Sequence, residues 1–248
     1  LTWVAGAFFG TAAASDAAFL QQEGSSQLIS NSTVSGFSRD FDAKGRLVRS
    51  GTFSKTSLDV FAAHGLTSTI TLVGAVSTDR LLPKFATDPG ASTTWNAMAG
   101  VRAPLWQSDG GIISVQALAG AGSEMRGSGF IAEARLMAGR NLSIGTIPGF
   151  MDVQIAWRQN APGARPELRL DATLGLKPDD RFMLLAQLFA AQGFAHAGQK
   201  QSLRVKAQFG VVWHVGETWS VQASAFHTVY GRDTGQEAGA TLGVWRRF

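Results

Sequence analysis

The 248-residue chain contains no cysteine, so a disulfide framework, a cysteine-held zinc and a thiol nucleophile are all excluded. That absence suits an oxidising envelope compartment without requiring one. Only 16% of residues are charged and there is a single tyrosine. No stretch approaches the roughly 20 uninterrupted apolar residues that a membrane-spanning helix needs. The four histidines are scattered (His64, His196, His214, His227), and without cysteine or clustered carboxylates they give no metal-site spacing. Glycine-rich stretches at Gly120–Gly122 and Gly127–Gly129 lack the strand–loop–helix setting of a phosphate cradle. Glycine in strands more often marks a bend or a close backbone approach. No cofactor or metal is therefore expected.

What is present is aromatic and glycine content: 16 Phe, 7 Trp and 29 Gly, at 45% hydrophobic residues overall. The mean hydropathy of +0.05 is far below that of a helical membrane protein. Strands with one face to lipid and one to a wet lumen average to such a value. A net charge of +4 and a pI near 9.8 raise nucleic acid as a partner. Lys and Arg are spread singly along the chain rather than gathered in a patch, which argues against it.

Residues Leu1–Gly10 are almost wholly apolar and are followed by small residues through Ala18. That is the pattern of the apolar and cleavage regions of a secretory signal peptide, with cleavage expected near Ala14 or Ala17. The basic start and the initiating Met are missing, as a truncated start would give; the alternative is a short buried strand. The expected division is a signal peptide over 1–17 and a β-barrel over 18–248.

Past residue 24 the dominant period is two. Over Gln201–His214, Leu203, Val205, Ala207, Phe209, Val211 and Trp213 share one face, opposed by Ser202, Arg204, Lys206, Gln208 and Gly210. Glu167–Leu176 and the stretch from Phe130 behave alike. A helix would place apolar residues three and four apart, so these are strands. About twelve such segments are expected, near 25–39, 51–63, 68–78, 94–105, 111–121, 128–140, 149–159, 166–176, 181–191, 201–214, 219–230 and 235–248. Most reach the roughly 9–11 residues a tilted strand needs to cross a membrane.

Connections alternate in length. Short ones are expected at His64–Thr67, Gln107–Gly110, Lys177–Asp180 and Val215–Thr218. Mostly longer ones, rich in Gly, Asp and Pro, are expected at Asp40–Ser50, Asp79–Thr93, Ser123–Gly127, Asn160–Arg165 and Gln192–Lys200. Outer-membrane barrels pair short periplasmic turns with longer external loops, so an even strand number puts both termini on the periplasmic side. The expected fold is all-β, a single antiparallel up-and-down transmembrane β-barrel in the outer membrane of a Gram-negative bacterium. Trp95, Trp106, Trp157, Trp213 and Trp219 lie near strand ends, where interfacial rings are favoured. Phe248 ends the last strand, in the manner of the signal read by barrel-assembly machinery, although Arg246 stands where such signals often carry another aromatic. A soluble lipocalin-like barrel or sandwich alternates too, but with its apolar faces inward. Strand length, the secretory start and the final Phe favour the membrane.

With apolar faces on lipid, the polar faces line a lumen. The candidate lining is Arg102, Glu133, Arg135, Asp152, Arg158, Glu167, Arg169, Asp171, Arg204 and Lys206, with Lys55, Asp59, Gln154, Gln187, Gln222 and Arg247 also on polar faces. Two readings follow: a network of ion pairs that fills and rigidifies a narrow barrel, or a polar path that guides a sugar or ion. An enzyme would need a nucleophile, a base and an orienting group together. By parity His227 faces lipid while Ser220 and Ser224 do not, so no in-strand Ser–His pair forms.

Several stretches, AFLQQEGSSQLI (18–29), FDAKGRL (41–47), AAHGLTSTITLVG (62–74), VQIAWRQN (153–160), PELRLDATLGLKP (166–178), FMLLAQLF (182–189) and ATLGVWRRF (240–248), carry a family resemblance. Together they resemble the XagA-like outer-membrane proteins found with bacterial exopolysaccharide synthesis loci, over nearly all of the chain after 17. The resemblance implies a barrel associated with making or exporting an extracellular polysaccharide, with the polymer or its synthesis and export proteins as partners. It supplies no catalytic residues. The function expected is passage or export of a polysaccharide or small polar solute across the outer membrane. The alternatives are a scaffold barrel with a plugged lumen and, for lack of a constellation less favoured, a lipid-modifying barrel enzyme.

Overall fold

The computed structural model describes residues 18–83, 91–124, 127–160, 165–196, 198 and 200–248; the expected signal segment 1–17 lies outside them. The strands are β1 (Ser26–Phe41), β2 (Leu47–Gly65), β3 (Thr71–Pro83), β4 (Ser92–Ser108), β5 (Gly111–Glu124), β6 (Gly127–Ile144), β7 (Ile147–Gln159), β8 (Glu167–Leu176), β9 (Phe182–Gly193), β10 (Ser202–His214), β11 (Trp219–Arg232), β12 (Thr234–Gly235) and β13 (Ala238–Arg247). From β1 to β11 each pairs antiparallel with the next in sequence, β11 pairs β13, and β1 pairs both β2 and β13. That last pairing closes the sheet. The short β12 pairs the end of β1 through Asp40↔Gly235 and extends the β13 wall, so the barrel has twelve walls.

Burial alternates residue by residue, and its sense is inverted relative to a soluble protein. On β7, Met151, Val153, Ile155 and Trp157 are 46, 37, 44 and 46% exposed, while Asp152, Gln154 and Arg158 are 1, 6 and 1% exposed. Leu168 and Leu170 on β8, Leu184 and Leu188 on β9 and Val221 on β11 also point outward. Water would not tolerate such a continuous apolar belt on a monomer, whereas lipid requires it. The soluble lipocalin-like alternative is therefore excluded by the direction of the faces. Trp95, Trp106, Trp157, Trp213 and Trp219 are all outward and about half exposed, and Arg246 stacks over Trp219 and Phe248 at 5.0 and 4.3 Å.

Both ends of the strand wall meet at one rim, here the terminal rim: Ser26 and Phe248 exchange backbone hydrogen bonds of 3.2 and 2.9 Å. Every second connection turns at this rim, and the rest turn at the far rim. There the strands run longer than their pattern suggests. The expected loop Asp40–Ser50 is a tight hairpin instead, with the ladder continuing to Phe41↔Leu47. Asp42 makes this possible. Its Oδ1 accepts from the backbone N–H groups of Lys44 and Arg46 at 2.8 and 2.9 Å, and Gly45 supplies a φ of +77°. The Arg46 N–H, ahead of other causes, holds the Asp42 carboxyl below the usual carboxylate range. Alternation is lost in this stretch because a bulge between Phe37 and Arg39 shifts the register and Leu47, Val48 and Arg49 are exposed one after another, so periodicity could not reveal the strands. At Gly100 and Gly120 an added Cβ would lie 1.8 and 2.0 Å from the carbonyl oxygens of Ala117 and Ala97, which marks a sharp bend in the β4–β5 wall.

The inverted faces make a direct prediction. Leu170→Arg, outward in the middle of β8, should cost about 2–4 kcal/mol of unfolding free energy in lipid vesicles. The measurement is denaturant titration of tryptophan fluorescence. The same change on the water-facing side of a soluble barrel would be nearly neutral.

Candidate functional site: the barrel lumen

The lumen has two tiers, set by which residue types the inward parity presents at each height. Toward the far rim it is charged. Glu133 on β6 lies 3.0 Å from Arg135, 3.8 Å from Arg158 and 3.9 Å from Arg169. Arg135 bridges on to Asp171 at 2.8 Å and to Gln154, and Arg169 pairs with Glu167 at 2.8 Å. Across the barrel Glu237 gathers Lys206 at 2.5 Å, Lys55 at 3.1 Å and the Ser35 hydroxyl at 2.6 Å. Arg204 is within electrostatic reach of both groups through Glu167 and Glu237. On the β1–β4 wall, register places Asn31, Asp59, Ser77 and Asn96 in one row and Thr33, Ser57, Asp79 and Thr94 in the next. Ser57 donates to Asp79, and Asn96 donates to Ser77 at 2.6 Å.

Toward the terminal rim the lumen turns apolar. Ile29, Phe61, Ala63, Val73, Ala75, Met98, Leu118, Ile131, Phe150, Met183, Leu185, Val212 and Trp245 form one buried cluster, which on the β5–β6 wall reaches up to the level of Glu133 through Leu118 and Ile131. Trp245 keeps its ring N–H satisfied by donating to Gln222 Oε1 at 3.2 Å. Residues 18–24 enter here, folding inward from β1. Ala18, Phe19 and Leu20 pack against Ile112 and Met137. The segment is held by polar groups of four strands. Gln21 N–H donates to Thr71 Oγ1 at 3.1 Å, Arg102 Nη1 to Phe19 O at 2.9 Å, Ser114 Oγ to Ala18 O at 2.7 Å, and Ala18 N–H to Asp152 Oδ2 at 2.8 Å. Those partners sit on β3, β4, β5 and β7, so the segment reaches across the lumen. Two glycines make the room: an added Cβ on Gly65 would sit 2.0 Å from Gln22 O, and one on Gly139 would sit 2.8 Å from the Phe19 ring.

All ten residues expected to line the lumen face inward, and they divide by height. Glu133, Arg135, Arg158, Glu167, Arg169 and Asp171 share the β6–β8 network, Arg204 and Lys206 stand beside it on β10, and Arg102 and Asp152 instead hold the inward segment. Asp59, Gln154, Gln187 and Gln222 are buried inward, whereas Arg247 is exposed at the terminal rim. Sequence reasoning missed Glu237, which sits at the interruption between β12 and β13 where parity breaks. It also missed Asp79, which it assigned to a loop, and the whole inward segment, whose sequence carries no period.

Two Ser–His pairs occur, Ser26 with His64 Nδ1 and Ser220 with His214 Nδ1, both at 2.8 Å. No carboxylate hydrogen-bonds either imidazole among the described residues, so neither pair has the orienting third group of a hydrolase. Among the described residues no three His, Asp or Glu gather as metal ligands.

A closed antiparallel barrel with apolar residues outside and a charged interior is the architecture of the Gram-negative outer membrane. No protein-family model matches the chain, and none of the curated proteins matches it. Solved structures do. It is similar to the COG4313 outer membrane channel from Pseudomonas putida F1, at a TM-score of 0.72 and 12% identity, over 92% of this chain and 97% of that one. The translocator domain of autotransporter NalP from Neisseria meningitidis matches at 0.56 and 14% identity, over 92% and 90%. The KdgM porin in complex with disordered oligogalacturonate matches at 0.51 and 7% identity, over 90% and 99%. At these identities the likeness establishes the fold.

Glu133 lies within 4.0 Å of three guanidinium groups. Glu133→Gln would leave buried cations short of counter-charge, a loss of about 3–5 kcal/mol. Asp42→Asn, which weakens the exposed Asp42–Arg46 pair, should leave the unfolding midpoint close to that of the parent protein. Equilibrium unfolding of both variants in vesicles checks the contrast.

Proposed function

We propose that this barrel passes a polar, hydroxyl-rich solute of the oligosaccharide or polysaccharide class across the outer membrane, with its terminal rim facing the periplasm. The observation that carries the reading is the lumen's chemistry. Gln116, Gln154, Gln187, Gln208, Gln222, Asn31 and Asn96 line it together with serines and threonines, all buried on the inner face. Among the described residues buried basic and acidic side chains are nearly equal in number. Lys55, Arg102, Arg135, Arg158, Arg169, Arg204 and Lys206 oppose Asp40, Asp59, Asp79, Glu133, Asp152, Glu167, Asp171 and Glu237. A lumen of amides, hydroxyls and compensated charge offers many hydrogen bonds and little net field, which suits a neutral or mildly charged sugar better than a strongly charged ion. Two of the similar structures are described as a channel and as a porin with an oligogalacturonate bound, in keeping with this class. The resemblance to XagA-like proteins points to an extracellular polysaccharide as the cargo and to its synthesis and export proteins as partners.

A second reading is favoured by a specific observation. The apolar tier and residues 18–24 fill the terminal end, and a twelve-strand barrel is near the size at which side chains can still occupy much of the interior. A barrel held shut in this way would serve as a scaffold for an assembly.

Single-channel recording in planar bilayers separates the two. Steady conductance that added oligosaccharides block supports passage, whereas a folded barrel with no conductance supports the scaffold. Gly139→Val places a side chain where Phe19 and Ala18 pack. If residues 18–24 restrict the path, this variant should raise the unitary conductance about twofold or more, while leaving the heat-modifiable folded band on gels intact; displacing a segment that spans the lumen widens it.

A further inference from the structure

Asp152 is 1% exposed and Ala18 is fully buried. Asp152 Oδ2 accepts from the Ala18 nitrogen at 2.8 Å, and Oδ1 accepts from Gln154 Nε2 at 2.5 Å. Of the other lumen carboxylates, Glu133, Glu167, Asp171 and Glu237 each have a lysine or arginine nitrogen within about 3 Å, while among the described residues Asp59 and Asp79 have none within 4.0 Å and meet no backbone nitrogen that could become a cation. Asp152 has none within 4.0 Å among the described residues. Arg102 and Arg135 act on Asp152 only from farther off, so both groups in direct contact with its carboxylate are neutral while Ala18 is an amide, and a buried carboxylate gains when a positive charge joins it. Of those two contacting nitrogens only that of Ala18 can become a cation, and it does so if the chain begins there.

We infer that a leader peptidase cuts between Ala17 and Ala18, and that the α-ammonium released is the counter-ion of Asp152, locking residues 18–24 inside the lumen. In the cut, water adds across the Ala17–Ala18 peptide bond. The C–N bond breaks, a carboxylate stays on Ala17, and the Ala18 nitrogen leaves as an ammonium. Such peptidases require small residues at the last and third-last positions of the leader, and Ala17 and Ser15 provide them. Ala12 and Ala14 offer the same pattern three residues earlier, so sequence leaves the two cuts equal and the structure separates them. A cut after Ala14 would keep the Ala18 nitrogen as a neutral amide.

Surrounding contacts fit a new terminus. Ser114 Oγ holds Ala18 O at 2.7 Å and Arg102 holds Phe19 O at 2.9 Å, so the first two peptide units are fixed on either side of the amine. Gly139 meets the Ala18 methyl, with an added Cβ only 2.9 Å from it. The uncut chain cannot form the ion pair, so the segment locks only after processing. This holds whether or not the barrel conducts.

The protein expressed with its full natural leader and purified from outer membranes supplies the test. Intact mass and N-terminal sequencing should show a chain starting at Ala18; a start at Ser15, or at any other residue, overturns the inference. In the folded protein the Ala18 amine should react with an amine-acylating reagent at pH 8 at least about tenfold more slowly than in the denatured protein, as a buried charge-assisted bond requires. Equal rates overturn it. Asp152→Asn should restore most of that reactivity while the Lys44 amine, exposed in its hairpin, stays unchanged. A misfolded variant leaves the mass and wild-type rate measurements to decide.

Discussion

Backbone hydrogen bonding in lipid governs this structure. A bilayer offers no water to an exposed N–H or C=O, so a β-sheet survives there only if its two edges find each other. In this chain the edges are β1 and β13, and their register runs unbroken from Gln27↔Arg247 to Gly36↔Ala238. Closure fixes the rest. It sends every second side chain into a confined interior and the others into hydrocarbon, so one period-two pattern sets both the lipid surface and the lumen chemistry.

The interior solves two problems at different heights. In the far-rim half the inward positions carry full charges, and burial forces them into pairs. Glu133 among three arginines and Glu237 between two lysines are the nodes that satisfy this requirement. In the other half apolar side chains take a larger share of the inward positions, and residues 18–24 complete the packing there while their backbone groups are met by Thr71, Arg102, Ser114 and Asp152. On the proposed reading the charged tier would set what the lumen accommodates and the terminal tier how wide the way through it is. A solute path and a sealed scaffold differ only in whether that second tier yields.

Legibility in the sequence followed periodicity. Where one face meets lipid and the other the lumen, as on β7, β8 and β10, alternation was plain, and the inward residues could be named. Past a bulge in β1 the signal vanished, so the hairpin through Asp42 read as a loop, and beyond Ser77 both faces of β3 carry polar side chains (Thr78 and Arg80 on one, Asp79 on the other), so Asp79 was placed outside the strands. Glu237 was lost at the break between β12 and β13, because a short interruption flips parity. The inner apolar tier was hidden for a different reason. Phe61, Met98 and Trp245 lie on lumen faces whose neighbouring positions are apolar as well, so nothing in the pattern distinguished inside from outside.

The sequence by itself determined the all-β architecture, the approximate number of crossings and which faces are polar, because those depend on the local alternation of side chains along each strand. Periodicity alone left the sense of the barrel open, since period two is the same inward or outward. Strand length, the secretory start and the final Phe tipped it to the membrane, and the exposure of the apolar faces agrees. The sequence could not bring Asp152 to the Ala18 nitrogen or Glu237 to Lys55 and Lys206. Those contacts join residues far apart in the chain, and only the closed register of twelve walls sets which of them share a height and face each other across the lumen.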